Sequence, residues 1–198
     1  MSDLAPSADW EPGQSTLATA RGTAPFGVIV FLASDVMLFA AFFAAYFLLR
    51  STNDPWPPAD VELEVVRAAL GTAVLVASSF TMIASERAGE HGHVRLMRRW
   101  LLITIALGVV FLTNQLTEYA TLGFGIDSHP YGSAYWGLTG LHALHVTAGV
   151  GAMALLFVRT VRGRGPVAIA PFTNGVALFW HLVDIVWIFV FATIWVLQ

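Results

Sequence analysis

The sequence contains no cysteine and no lysine among its 198 residues. The lack of cysteine excludes disulfides, thiolate metal sites and cysteine nucleophiles. Charged residues are also scarce at 12%, whereas a water-soluble domain usually carries about 25%. Hydrophobic residues make up 57% of the chain and form long uncharged runs. These runs and the charge deficit place the chain in a lipid bilayer.

Five apolar runs are long enough to cross the hydrocarbon core as helices. They cover residues 26–49, 65–84, 100–122, 134–158 and 172–197. Because lipid offers the backbone no hydrogen-bond partner, helix is the realistic choice for each run. We therefore predict an all-α integral membrane protein with a five-transmembrane-helix bundle in residues 25–198. Pro25 and Pro171 precede the first and fifth runs, where proline suits a helix start. Residues 1–24 are polar and predict an extended tail.

The arginines predict how the bundle is oriented. All ten basic residues are arginines, and eight lie in the tail and in the second and fourth loops. With five spans, those three segments lie on one side of the membrane, and Arg50 and Arg67 lie on the other. The positive-inside rule then places the N-terminus in the cytoplasm and the C-terminus outside.

Polar side chains inside the apolar runs are the candidate functional residues. Charged groups at mid-membrane cost at least a few kcal/mol, so they normally face a partner or a water-filled cavity. His142 and His145 are three residues apart, as are His181 and Asp184, so each pair shares a helical face. A histidine donating to Asp184 or Glu118 would form a hydrogen-bonded polar core. The candidates are Asp35, Gln115, Glu118, His142, His145, Trp180, His181 and Asp184.

These residues alone leave several interpretations open. His142 and His145 could ligate a metal or haem, but two histidines leave most of a coordination shell unfilled. Hydrogen bonds between helices explain the same pair without a metal. Asp35 and Glu118 could form a proton path, or serve a structural or lipid-facing role. The chain could be a small membrane transporter, a membrane enzyme, or a non-catalytic subunit of a larger complex.

Five segments, in order along the chain, resemble subunit III of haem-copper terminal oxidases. They are FLASDVMLFAAFFAAYF, NQLTEY, YGSAYWGLTG, GLHALHVTAG and FWHLVDIVWIFVF. They are similar to the family's SEVMFF helix, its glutamine–glutamate–tyrosine patch, the approach to its HGLHV helix, that helix itself, and its C-terminal helix. The resemblance covers residues 26–198 and implies the short, five-helix form of a family usually described with seven helices.

The resemblance implies a non-catalytic subunit of a proton-pumping, oxygen-reducing oxidase in the bacterial cytoplasmic membrane. It implies that haem and copper lie in partner subunits I and II, with a small subunit IV as a further candidate partner, and that this chain holds no metal or cofactor. It also implies that phospholipids bind between the helices and that the chain sustains proton uptake and turnover of the catalytic core. The candidate polar residues would then line a lipid-bearing or subunit-facing seam. No nucleic acid is implied as a partner.

The electron donor is less directly implied. Asp35 stands where many cytochrome c oxidases carry glutamate, and related quinol oxidases can carry aspartate there. The C-terminal FATIWVLQ, in contrast, is similar to actinobacterial cytochrome c oxidases. We expect cytochrome c as the donor, with subunit III of a quinol oxidase as the alternative.

Overall fold

The computed structural model describes residues 12–59, 61, 63–163 and 166–197, and these residues form helices without any strand. A π-helical turn, Ala192–Val196, continues the last helix. Five helices are long and apolar enough to span a membrane, which confirms the predicted fold class. They are α1 (Pro12–Thr52), α2 (Val65–Glu90), α3 (Val94–Thr121), α4 (Pro130–Val161) and α5 (Pro166–Phe191).

Several helices extend beyond the apolar runs that predicted them. Helix α1 begins at Pro12, so the extended tail predicted for residues 1–24 is wrong from residue 12 onward. Pro25 and Pro171 consequently lie inside α1 and α5 rather than at their starts. Helix α3 begins at Val94, before the run at residues 100–122. The physical reason is that an apolar run marks only the part of a helix that lies in hydrocarbon, while polar residues can continue the helix into water.

Helix α5 lies at the centre of the bundle and α1 at its edge. Helix α5 packs against α2, α4 and α1, whereas α2, α3 and α4 pack in sequence around it. The most apolar stretch of α5 is 44% buried inside the protein, against 17% for that of α1. The side chains of α5 are therefore well placed to connect the other helices, and much of α1 faces outward.

Polar contacts join the helices at both ends of the bundle. At one end, the Arg98 guanidinium of α3 donates to Thr160 of α4, and Arg159 lies 4.1 Å above the ring of Phe172 on α5. We call this end the basic rim; its arginines, in or directly after the ends of α2, α3 and α4, are Arg87, Arg95, Arg98, Arg99, Arg159 and Arg162. At the other end, the Tyr46 hydroxyl of α1 donates to the carbonyl of Thr193 over 3.3 Å.

Candidate functional site

A polar cluster lies at the interface of α2 and α5. The Ser79 hydroxyl donates to Oδ2 of Asp184 and lies 3.1 Å from Nδ1 of His181. On its other side, His181 places Nε2 3.8 Å from Oε2 of Glu86. The predicted contact between a histidine and Asp184 therefore needs correction, because the two side chains meet through Ser79. The cluster connects two carboxylates, one imidazole and one hydroxyl across two helices.

Two tryptophans of α5 extend the same interface. The Trp180 indole nitrogen donates to the Ser78 hydroxyl over 3.0 Å, and that of Trp187 donates to the Thr72 hydroxyl over 2.9 Å. Each hydroxyl in turn donates to a carbonyl of its own helix. Because lipid cannot satisfy these groups, such pairing across helices is what a membrane bundle needs. We call the contacts of Thr72, Ser78, Ser79 and Glu86 with α5 the α2–α5 seam.

Asp35 and His145 form a second polar contact, between α1 and α4. Oδ1 of Asp35 lies 3.6 Å from Nε2 of His145, and both side chains are almost fully buried. Nδ1 of His145 lies 2.8 Å from the carbonyl of Leu141. Since a carbonyl only accepts, Nδ1 is the donor in this contact, and Nε2 is the ring nitrogen that faces Asp35. The rings of Phe39 and Phe179 flank the imidazole with centroids at 5.0 and 6.2 Å.

His142 has different surroundings from His145, although the two lie three residues apart. Its ring is fully buried between Phe111 and Trp187, with centroids at 5.7 and 4.7 Å. Neither ring nitrogen has a hydrogen-bond partner in the described part of the chain. Over the same residues, no group of three or more histidines, aspartates or glutamates lies close enough to hold a metal ion. The two histidines therefore contact different neighbours rather than converging on one ligand.

Glu118 and Gln115 lie on α3, toward the end opposite the basic rim. Oε1 of Glu118 accepts a hydrogen bond from the Tyr135 hydroxyl over 2.9 Å, so its partner is a tyrosine and not the predicted histidine. A cavity of about 440 Å³ lies beside Glu118 and is also lined by Arg67. Gln115 is buried, and its amide nitrogen has no partner within the described residues. Glu118 thus faces α4 and this cavity and does not take part in the α2–α5 seam.

The sequence reasoning omitted Glu86, because the apolar run for α2 ended at residue 84. Helix α2 continues to Glu90. Ser79 and Glu86 are seven residues apart, which places them on one face of a helix. A longer predicted helix would have brought Glu86 onto the face that carries Ser79. The missed signal was therefore helical periodicity beyond the end of the apolar run.

The whole chain is similar to proteins of one family. Residues 2–198 match the family described as Cytochrome c oxidase subunit III. The probable cytochrome c oxidase subunit 3 of Nocardia farcinica is 44% identical over 173 residues, which cover 85% of each chain. Cytochrome c oxidase subunit 3 of Corynebacterium diphtheriae is 39% identical over 178 residues, or 87% of each chain. That of Thermostichus vulcanus is 38% identical over 176 residues, or 86% of each chain.

Proposed function

The chain belongs to the cytochrome c oxidase subunit III family, and we propose that it sustains turnover of a cytochrome c-oxidising, oxygen-reducing core without carrying a redox centre itself. The observation that carries this proposal is that several buried polar groups make contacts between helices. Ser79 lies within hydrogen-bonding distance of both His181 and Asp184, while the Asp35 carboxylate lies beside the His145 imidazole. A bundle organised in this way is suited to be a structural subunit that packs against a catalytic core.

We propose that subunits I and II provide that core with its haem and copper, and that a small subunit IV is a further partner. The bacterial relatives support placement in the cytoplasmic membrane. Arginine placement supports a cytoplasmic N-terminus and an external C-terminus. In this arrangement the basic rim lies on the cytoplasmic side, where the core would take up protons.

The pair of Asp35 and His145 is our candidate for a proton-holding or lipid-contacting site. Nδ1 of His145 is engaged with a backbone carbonyl, so Nε2 is the ring nitrogen available to the Asp35 carboxylate. Oδ2 of Asp35 is buried without a partner among the described residues. A buried acceptor of this kind is costly, which is typical of groups retained for function. The pair could therefore bind a phospholipid group or help to keep protons available to the core.

Oxygen consumption by the purified complex, with and without this chain, tests the proposal. We expect near-normal initial rates without the chain, because no redox ligand is lost, followed by a faster decline during continuous turnover. The decline should be clearest at alkaline pH, where protons are scarce. Asp35→Ala should reproduce part of it, whereas Asp127→Ala, which removes an exposed loop carboxylate, should not. Immediate and complete loss of activity on removal would contradict the proposal, because the chain would then contribute to the catalytic site.

Asp35 also keeps a quinol oxidase as the second candidate, since related quinol oxidases can carry aspartate at that position. Offering the intact complex reduced cytochrome c and quinol separately distinguishes the two. We expect oxygen consumption with cytochrome c. Consumption with quinol alone would establish the second candidate.

A further inference from the structure

Glu118 is a buried carboxylate beside a cavity at the end of the bundle opposite the basic rim. The cavity, of about 440 Å³, lies where the start of α2 meets the end of α3, and we call it the Glu118 cavity. Glu118 itself is only 4% exposed. Its Oε1 accepts from the Tyr135 hydroxyl, while its Oε2 has no hydrogen-bond partner among the described residues. One oxygen of this carboxylate is therefore available to an occupant of the cavity.

Arg67 lines the same cavity but does not pair with Glu118. Its guanidinium donates to Asn114 and Thr117 on α3, and a further nitrogen lies 3.9 Å from Glu64. These contacts hold the guanidinium in place, and no ion pair joins it to Glu118 in the described part of the chain. The lining thus contains two carboxylates and one cation. Because a buried charge without a partner is costly, a cationic occupant would stabilise Glu118.

The rest of the Glu118 cavity is partly apolar. Leu63, Leu122 and Phe124 line it beside the charged groups. Its volume is many times the roughly 30 Å³ that one water molecule occupies in the liquid. Apolar walls beside a carboxylate suit a side chain that has an aliphatic stem and a cationic tip. Lysine and arginine are the two side chains of this kind.

We propose that the Glu118 cavity binds a lysine side chain from a water-exposed segment of a neighbouring subunit. A guanidinium pairs best with a carboxylate through two parallel hydrogen bonds, one to each oxygen, but Tyr135 already occupies Oε1 of Glu118. A lysine ammonium is a compact charge with separate donors, so the single free Oε2 is enough for it. The chain contains no lysine of its own. The occupant therefore comes from another chain.

The surroundings of the cavity also favour a basic partner. The two connections at this end of the bundle, residues 53–64 and 122–129, contain five acidic residues and no arginine. Complementary charge on two surfaces speeds and orients their association. The orientation predicted from the arginines places this end outside the cell, so the partner segment is an external one. The inference rests on the proposed place of the chain in an oxidase complex, but it concerns a site separate from Asp35 and from the α2–α5 seam.

Zero-length cross-linking of the intact, purified complex tests the inference. A water-soluble carbodiimide activates a carboxylate, and an amine in contact with it displaces the activated oxygen to form an amide. The water removed leaves as part of a urea. Because this chain has no lysine, an amide between Glu118 and a lysine joins two different chains. We expect a cross-linked band that contains this chain and another subunit, with peptide mass analysis locating the bond at Glu118.

Glu118→Gln is the variant that removes the charge. Glutamine still offers a carbonyl oxygen to Tyr135 but cannot form the amide. We expect this variant to lose the cross-link and to dissociate more readily from the complex in detergent. Asp127→Asn is the matched control, because it removes an exposed carboxylate at the same end of the bundle but outside the cavity. It should change neither the cross-link nor the retention of the chain.

The bond is mapped first in the unsubstituted complex, so the result does not depend on how the variants fold. A bond at Asp127 in place of Glu118 would overturn the inference in favour of diffuse surface charge. Coupling of Glu118 to the amine of a lipid would overturn it as well, as would full retention of the Glu118→Gln chain together with no bond at Glu118. If the chain failed to purify with any oxidase subunit, the proposed function would fail instead, so the two failures are distinguishable.

Discussion

The Trp180 side chain packs closely against three other helices of the bundle. A Cβ added at Gly108 would lie 2.9 Å from its ring, and one added at Gly149 would lie 2.7 Å away. Its indole nitrogen also donates to Ser78. Thus α3 and α4 approach the ring through glycines, while α2 supplies the hydrogen-bond acceptor. One aromatic residue of α5 thereby fixes the spacing of three other helices.

Gly149→Ala tests this packing at the scale of one methyl group. The added carbon would force the indole or the backbone to move, which typically costs about 1–3 kcal/mol in a packed interior. Gly151→Ala is the control, because a Cβ there meets nothing within 4 Å. We expect Gly149→Ala to lower the thermal stability of the detergent-purified complex, and Gly151→Ala to leave it unchanged or raise it slightly, since alanine favours helix. Equal thermal stability of the two variants would show that the Trp180 ring can move to accept the added carbon without loss of stability.

Individual polar residues could be predicted from the sequence, but their partners could not. Asp35, His145 and Asp184 were recognisable because polar atoms are rare in apolar runs. Which neighbour each one faces depends on how its helix is rotated in the bundle. His142 and His145 illustrate this, since the first is enclosed by aromatic rings and the second meets a carboxylate. Spacing along one helix places a side chain on a face, and only the arrangement of the other helices determines what lies opposite.

At the scale of elements, the α2–α5 seam depends on Ser79. Ser79→Ala would leave Nδ1 of His181 and Oδ2 of Asp184 without their shared partner. An unpaired buried polar group costs roughly 1–3 kcal/mol, more than the average of about 0.6 kcal/mol for a hydrogen bond between membrane helices. We therefore expect Ser79→Ala to increase loss of the chain from the complex during detergent purification.

Ser34→Ala provides the comparison for that experiment. Ser34 lies on α1, is exposed, and bonds only to the Val30 carbonyl of its own helix among the described residues. Removing its hydroxyl should leave retention of the chain unchanged. Retention is measured as the ratio of this chain to the catalytic subunits on a stained gel. This ratio should be lower for Ser79→Ala than for Ser34→Ala. If both variants were retained equally, the seam would not be what holds α2 to α5.

The number and type of helices were predictable, whereas their ends and their arrangement were not. A chain in lipid must satisfy its own backbone, so each long apolar run had to be a helix. The apolar run for the third span began at residue 100, yet α3 starts at Val94, where arginines are exposed to the polar boundary. The central position of α5 could not be predicted from the pattern of apolar residues in the sequence either. In a membrane, side chains facing lipid are as apolar as those facing the interior, so helix faces cannot be told apart by hydrophobicity.

For the whole molecule, the distribution of arginine predicts one orientation in the membrane. The structure places Arg87, Arg95, Arg98, Arg99 and Arg159 within helix ends, and not in the loops where the sequence prediction put them. They nevertheless lie at the ends that the α2–α3 and α4–α5 connections join, so the charge asymmetry between the two ends persists. Because juxtamembrane basic residues favour the cytoplasmic side, this asymmetry keeps the predicted orientation.

The lack of cysteine makes that orientation directly testable, since one introduced thiol is the only thiol in the chain. Glu90→Cys places it at the exposed end of α2, on the basic rim, and Asp127→Cys places it in the exposed connection between α3 and α4. We expect a membrane-impermeant maleimide to label Asp127→Cys in intact cells, where the reagent reaches only the outer face. Glu90→Cys should be labelled only in inverted vesicles, because the predicted orientation places the basic rim in the cytoplasm. The unsubstituted chain controls for background, and its mass of 21.4 kDa identifies its band on a gel. Labelling of Glu90→Cys in intact cells, with Asp127→Cys protected, would reverse the orientation and place the basic rim on the outer face.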